Sequence, residues 1–425
     1  MKKAFIYVLT LLTLLGVVSC AQPVAGEMIQ SDKPRETSPE VSQDNLRLLV
    51  DGNSAFAFVL YQTLREENDN IFYSPHSISL ALAMTYAGAR GETAQQMADT
   101  LYYLLSQEQL HSAFNSLDLE LDKRGEGAKG KDSEGFRLNI VNAIWGQENY
   151  EFLAQFLDVL AENYGAGLRP LDFMNALEES RLTINNWVSD QTESRIEDLI
   201  PQGVLNPATV LVLTNAIYFN AAWQYPFEEN MTNNGPFYLL DGNNITVPMM
   251  RQTEGFRYAE DDDYQAVELP YDGRELSMVI LLPQAGQFEA FEDKLDSQLV
   301  ADIIETLEYQ QVALTMPKFT YESKFMMKEL LSEMGMRDAF LPGIADLSGI
   351  NGGRSLFIDE VIHQAFVEVD EAGTEAAAAT AVIVAETAAP TKPKEVTIDH
   401  PFVFLIRDIE TGAILFVGRV VNPNA

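Results

Sequence analysis

The residues able to do acid–base, nucleophilic or metal chemistry are few. The chain has four histidines, His76, His111, His363 and His400, and one cysteine, Cys20. Neither HExxH nor GxSxG occurs, so a helix-borne zinc pair and a nucleophile elbow have no counterpart. One cysteine and scattered histidines give a zinc or thiol centre little material. A Ser–His–Asp triad is assembled from distant residues, and no motif here supports one. Asp261-Asp262-Asp263 reads as a solvated acidic turn rather than a calcium loop. Gly125, Gly127 and Gly130 fit GxGxxG, but no strand precedes them and no helix opens there, so they read as a solvated loop. No cofactor and no metal is expected.

Chemistry done to the chain is a different matter. Phe366-Val367-Glu368-Val369 is an alternating strand, and Phe402-Val403-Phe404-Leu405-Ile406 is an apolar one. More than thirty residues lie between them with no compact turn, and such long connections are usually functional or disordered. A run of alanines alone would suit a helix. The wider composition suits a segment that lives first as a loop and then as a buried strand. Gly373 permits backbone angles closed to other residues, as a hinge needs. Thr380, Val382, Ile383 and Val384 are β-branched and favour a strand. In that strand Thr374, Ala376, Ala378, Thr380, Val382 and Val384 share one uncharged face, with Glu375 on the other. The segment reads as a bait loop.

Glu371-Ala372-Gly373-Thr374-Glu375-Ala376-Ala377-Ala378-Ala379-Thr380 resembles the reactive-loop hinge of inhibitory serpins. Val396-Thr397-Ile398-Asp399-His400-Pro401-Phe402-Val403-Phe404 is similar to the family's C-terminal signature. The reactive loop then spans about 371–395.

The elements that must position this loop carry the same resemblance. Asn45 to Glu67 has helix periodicity. Asn70 to Met84 is a turn feeding a helix, with Pro75 suited to a first helical position, and its nearly all-round apolar surface predicts burial. Gly91-Glu92-Thr93 opens a further matching helix, and Gln107 to Arg124 reads as another. Arg137 to Trp145 is a strand. Tyr150 to Tyr164 is an amphipathic helix, matched to the family's helix across the main sheet, and Ile184 to Val188 continues the pattern in another helix. Val210 to Phe219 is an almost continuous apolar strand, hence central and covered on both faces. Phe237 to Met250, Gln265 to Pro270, Leu276 to Leu282 and Gln311 to Pro317 read as strands, and Glu289 to Glu308 and Lys324 to Met334 as helices. The resemblance implies an α+β serpin fold, with a large central, mostly antiparallel sheet, surrounding helices and an exposed reactive loop. It also matches Ser74, Ser77, Asn215 and His363 to the family's polar shutter cluster, and Trp223 to the tryptophan beneath the point of loop insertion. Buried polar groups need partners, and such a network is remade when strands part.

The 425 residues are read as three parts. Residues 1–20 form a signal peptide: Met1-Lys2-Lys3, a short apolar run, then Val17-Val18-Ser19-Cys20, which resembles a bacterial lipoprotein cleavage box. The run is shorter than the about 20 apolar residues of a membrane span. Residues 21–44 are a polar tether with Pro23, Pro34 and Pro39. Residues 45–425 are one serpin domain. Lipid on Cys20 would anchor an exported chain to a membrane, at the cell surface or facing a periplasm; without it the chain is secreted. The net charge of −35 repels nucleic acid. Leu117 to Asp122 is acidic, so the sulfated-polysaccharide site of some family members is not expected. A monomer is expected.

The implied activity is suicide inhibition of a serine or cysteine endopeptidase; the chain itself is not expected to be an enzyme. Counting fourteen residues on from Gly373 places the cut at Thr387-Ala388, while counting back from Pro401 gives Pro390. Ala385-Glu386, Glu386-Thr387 and Ala388-Ala389 stay open. The small residues favour an elastase- or subtilisin-like target, Glu386 allows a glutamyl-specific one, and the late Lys392 and Lys394 disfavour a trypsin-like one. Two rivals are a non-inhibitory serpin acting as a binding or carrier protein, and a hydrolase on another fold.

Overall fold

The structure, a computed structural model, describes residues 28–65, 69–126, 128, 137–374 and 392–424. Cys20, the signal region and residues 375–391 lie outside the described residues, among them Glu375, Ala376, Ala377, Ala378, Ala379, Thr380, Thr387 and Ala388. The helices are α1 (Gln43–Leu64), α2 (Pro75–Tyr86), α3 (Gly91–Thr100), α4 (Gln107–Leu121), α5 (Ala154–Tyr164), α6 (Leu177–Gln191), α7 (Phe288–Glu292), α8 (Ser297–Thr306), α9 (Met327–Met334) and α10 (Ser348–Asn351). The strands begin with β1 (Ile71–Tyr73), β2 (Arg137–Gln147), β3 (Leu168–Leu171), β4 (Leu211–Ala222), β5 (Asn233–Tyr238) and β6 (Asn244–Glu260). They continue with β7 (Tyr264–Pro270), β8 (Leu276–Pro283), β9 (Glu308–Pro317), β10 (Phe319–Met326) and β11 (Glu360–Val369). The last four are β12 (Gly373–Thr374), β13 (Lys394–Thr397), β14 (Phe402–Asp408) and β15 (Ile414–Val420).

Two sheets organise these elements. One has six strands in the order β10-β11-β12-β4-β2-β3, and β11 also pairs directly with β4. The other has nine strands, β1-β15-β14-β8-β7-β6-β9-β13 with β5 on β6. In the six-stranded sheet the β11–β4 and β2–β3 pairings are parallel and the rest antiparallel.

Strand periodicity explains the burial of this sheet. Along β4, Leu211, Leu213, Ile217, Phe219 and Ala221 enter the main core, while Val212 and Ala216 enter a second cluster on the other face. In the same way, β11 sends Val361, Ala365 and Val367 one way and Ile362 the other. Both faces are apolar, as the continuous run predicts.

The helix over the second face is α6, not the 150–164 segment. Ile184 and Val188 of α6 share the second cluster with Val141, Ala143 and Trp145 of β2. Phe156, Leu157 and Leu160 of α5 belong instead to the main core, where α5 lies against α4. Other boundaries move for local reasons. The Phe237–Met250 run folds into the β5–β6 hairpin, turning through Gly242 at φ +81°. Lys324 is still in β10, opposite Gln364, and the helix starts at Met327. Asp296 caps a new helix by accepting the Leu299 N–H, splitting Glu289–Glu308 into α7 and α8.

Part of the segment read as a tether runs along the body. Ile29 exchanges two backbone hydrogen bonds with Leu168, of 2.8 and 2.9 Å. Lys33 reaches Asp158 (3.2 Å) and Glu162 (2.9 Å) of α5. Arg35 reaches Asn115 (2.8 Å) and Asp118 (2.5 Å) of α4. The acidic faces of α4 and α5 attract the two cations, and Gly167 makes room: a Cβ there would sit 2.4 Å from the Ile29 carbonyl oxygen.

Candidate functional site

The hinge sequence meets the sheet at the top of β4. Asp370 accepts the N–H groups of Ala372 (2.8 Å) and Gly373 (3.2 Å) on its side chain, closing a turn after β11. The chain then enters the slot between β11 and β4. Thr374 lies opposite both Val369 and Ala221, and Gly373 opposite Ala222. Gly373 has extended backbone there, so the freedom expected of a hinge glycine is not what this position uses. It uses space instead: a Cβ would lie 2.2 Å from the Ala221 carbonyl oxygen and 2.7 Å from the Ala222 Cα.

Several side chains hold this corner. Trp223 donates its backbone N–H to Ala372 (2.8 Å) and its indole N–H to the Asp370 carbonyl (3.0 Å). Its ring stacks on Tyr271 at 4.7 Å and 9°. The Tyr271 hydroxyl lies 2.8 Å from Thr374 Oγ1. Glu371 accepts from Thr232 Oγ1 (2.7 Å) and Lys318 Nζ (2.5 Å). Burial would raise the Glu371 carboxyl, but the bonds from Lys318 and Thr232 outweigh it and hold it below the ordinary glutamate range. Tyr271, Thr232 and Lys318 are not marked in the sequence, since nothing local marks a residue whose hydrogen-bond partner is 53 or more positions away.

Lower down, β11 pairs directly with β4. His363, Asn215 and Asn142 form one row across β11, β4 and β2. All three lie on the face towards the start of α2, where Ser74 caps the helix by accepting the Ser77 N–H at 3.1 Å. Ser74 donates its own N–H to His363 Nε2 at 3.2 Å, which leaves the ring proton on Nδ1, against Asn215 Oδ1. Asn215 Nδ2 then donates to Ser77 Oγ and Asn142 Oδ1. Ser74, Ser77, Asn215 and His363 are thus brought into one buried network, and Trp223 sits apart from it at the hinge. Asn142 is the additional member, an asparagine between Val141 and Ala143 in a largely apolar strand. Burial pushes His363 down to about 3, against a smaller upward pull from Asn215.

This is a slot with a glycine wedge already seated and a polar row that must part before anything follows it. A model of the serpin (serine protease inhibitor) family matches residues 51–423. The chain belongs to the serpin family. Human leukocyte elastase inhibitor is 41% identical, over 88% of this chain and 99% of its own length. Among solved serpins, the thermophilic serpin tengpin in its native state superimposes with a TM-score of 0.81 at 29% identity, covering 94% of this chain and 100% of that one. Human thyroxine-binding globulin, solved with its ligand, has a TM-score of 0.79 at 30% identity, covering 90% and 100%.

Proposed function

We propose that this serpin is a suicide-substrate inhibitor of an elastase- or subtilisin-like endopeptidase. The observation that carries the reading is the seated hinge: Gly373 and Thr374 are paired into the slot, and only a glycine fits the first position. A protease attacks the loop as a substrate, and the favoured bond is Thr387-Ala388. The freed loop follows the hinge between β4 and β11, carrying the acylated protease with it. Each new central strand residue gains hydrogen bonds on two sides; a dozen at about 0.5–1.5 kcal/mol each give roughly ten kcal/mol. Before cutting, that energy is withheld by a barrier, so the native state persists kinetically.

The chain is proposed to be exported and held at a membrane by lipid on Cys20, to act as a monomer, and to need no polysaccharide cofactor. Equal lipid labelling of wild type and Cys20→Ala would sink the anchor. A second reading, a non-inhibitory binding or carrier protein, follows the example of thyroxine-binding globulin, and the bulk-free hinge speaks against it.

The test is incubation with elastase-, subtilisin-, trypsin- and papain-like proteases, resolved on a denaturing gel. A band of combined mass and a released peptide starting at Ala388 are expected. Gly373→Val, which cannot seat its side chain, is expected to be cut without forming that band. Cleavage of wild type with no covalent band would hand the case to the carrier reading.

A further inference from the structure

The docked N-terminal segment has a direction. Ile29 bridges Leu168 in antiparallel fashion, so from Ile29 back to Met28 the chain points along β3 towards Leu171. Leu168 shares a row with Ile144 and, through β2, with Leu213 of β4. Leu171 lies beyond, alongside Gln147 and the start of β4. The hinge enters at the opposite end of β4, at Ala221 and Ala222. Eight residues of strand separate the Leu213 and Ala221 rows, about 26 Å at ~3.3 Å each. Met28, the first described residue, therefore lies towards the end of the sheet remote from the hinge.

Ion pairs and a backbone bridge fasten this segment, through Ile29, Lys33 and Arg35, to β3, α5 and α4. Seven residues separate Cys20 from Met28, which limits their span to about 30 Å fully extended.

The insertion register supplies the other half. Continuing Gly373↔Ala222 and Thr374↔Ala221 residue by residue along β4 reaches Leu211 at Val384. A protease esterified at Thr387 would then end at the same end of the sheet as Met28. We propose that the anchored serpin stands with its loop pointing away from the membrane, and that insertion delivers the trapped protease to the lipid surface. This rests on the inhibitory, anchored reading above. The docked segment is what makes the delivery directional: without it, the anchor would lengthen by the residues up to α1 and the body would turn freely.

The experiment uses the full-length lipid-bearing chain in phosphatidylglycerol–phosphatidylethanolamine vesicles containing an acceptor-labelled lipid, with a donor dye on the protease. A second preparation holds the mature chain by an N-terminal hexahistidine tag on nickel-chelating lipid. Energy transfer from a nucleophile-blocked protease, bound to the uncut loop, is compared with that from the active protease after trapping. A severalfold rise on trapping is expected in both preparations. The triple variant Ile29→Pro/Lys33→Ala/Arg35→Ala, which still forms the covalent band, is expected to lose most of that rise. A covalent band with unchanged or falling transfer overturns the proposal, as does a rise undiminished in the triple variant. No covalent band overturns the inhibitory reading beneath it. A rise with the tagged chain alone, the native chain staying off vesicles, supports the geometry and removes the lipid.

Discussion

His363 accepts the Ser74 N–H at Nε2 and offers its Nδ1 proton to Asn215, so the neutral ring is the form the network is built for. Asn215 in turn holds Ser77 and Asn142. Asn215→Ala leaves several buried groups short of a partner, at about 1–3 kcal/mol. The cost falls on the closed sheet, where β4 and β11 touch. On warming, this variant is expected to insert its loop or polymerise before wild type does on a native gel; identical behaviour would remove the network from the mechanism. The buried histidines also make stability depend on pH. Burial holds His76 and His111 near 4 and His363 near 3, below the ordinary histidine value. The unfolded chain takes up these protons as the pH falls through about 6.5, whereas the folded chain resists until about 4 or 3. Their contribution to stability is therefore complete above pH 6.5 and is lost progressively below it. The thermal midpoint is expected to fall between pH 7 and pH 5; a flat profile would contradict the assignment.

Between β11 and β12, the hinge corner is held by a charge pair whose members come from separate elements. Lys318 follows β9 and Glu371 follows β11. The pair is partly exposed, so its worth is about 1 kcal/mol or less. Reversal costs more than loss, because Glu371→Lys sets two cations together at the mouth of the slot. Glu371→Lys is expected to loosen the mouth and raise polymer yield on mild heating. The double exchange Glu371→Lys/Lys318→Glu is expected to restore most of the wild-type behaviour, and failure of that rescue would point to Thr232 or packing instead. The same corner shows what was legible in the sequence. The central strand β4 and the grouping of Ser74, Ser77, Asn215 and His363 were readable, because unbroken apolar runs and family motifs are local. Lys318, Tyr271, Thr232 and Asn142 were not, because their meaning lies across strands. The segment over α5 read as a tether because its prolines and charges look solvated, while its attachment depends on Asp118, Asp158 and Glu162 far along the chain. The helix over the sheet was misplaced for a related reason: α5 and α6 are both amphipathic, and only contact with Trp145 and Val212 tells them apart.

Among the described residues, the fold is an arrangement with one strand position only begun. The six-stranded sheet has β12 seated for two residues, and below it β11 and β4 close the gap by pairing with each other. Completing that strand has a thermodynamic signature independent of any target. At about 2.1 cal/mol/K per residue, a body of this size has an unfolding entropy near 0.8 kcal/mol/K, so roughly ten kcal/mol moves the midpoint on the order of ten degrees. The most direct measurement is the thermal unfolding midpoint before and after a single cut within residues 385–389 by a protease at catalytic amounts. A rise of that order is predicted, with Gly373→Val showing little or none. A wild-type midpoint that stays put after complete cleavage would mean the loop does not enter the sheet, and the inhibitory mechanism would fail with it.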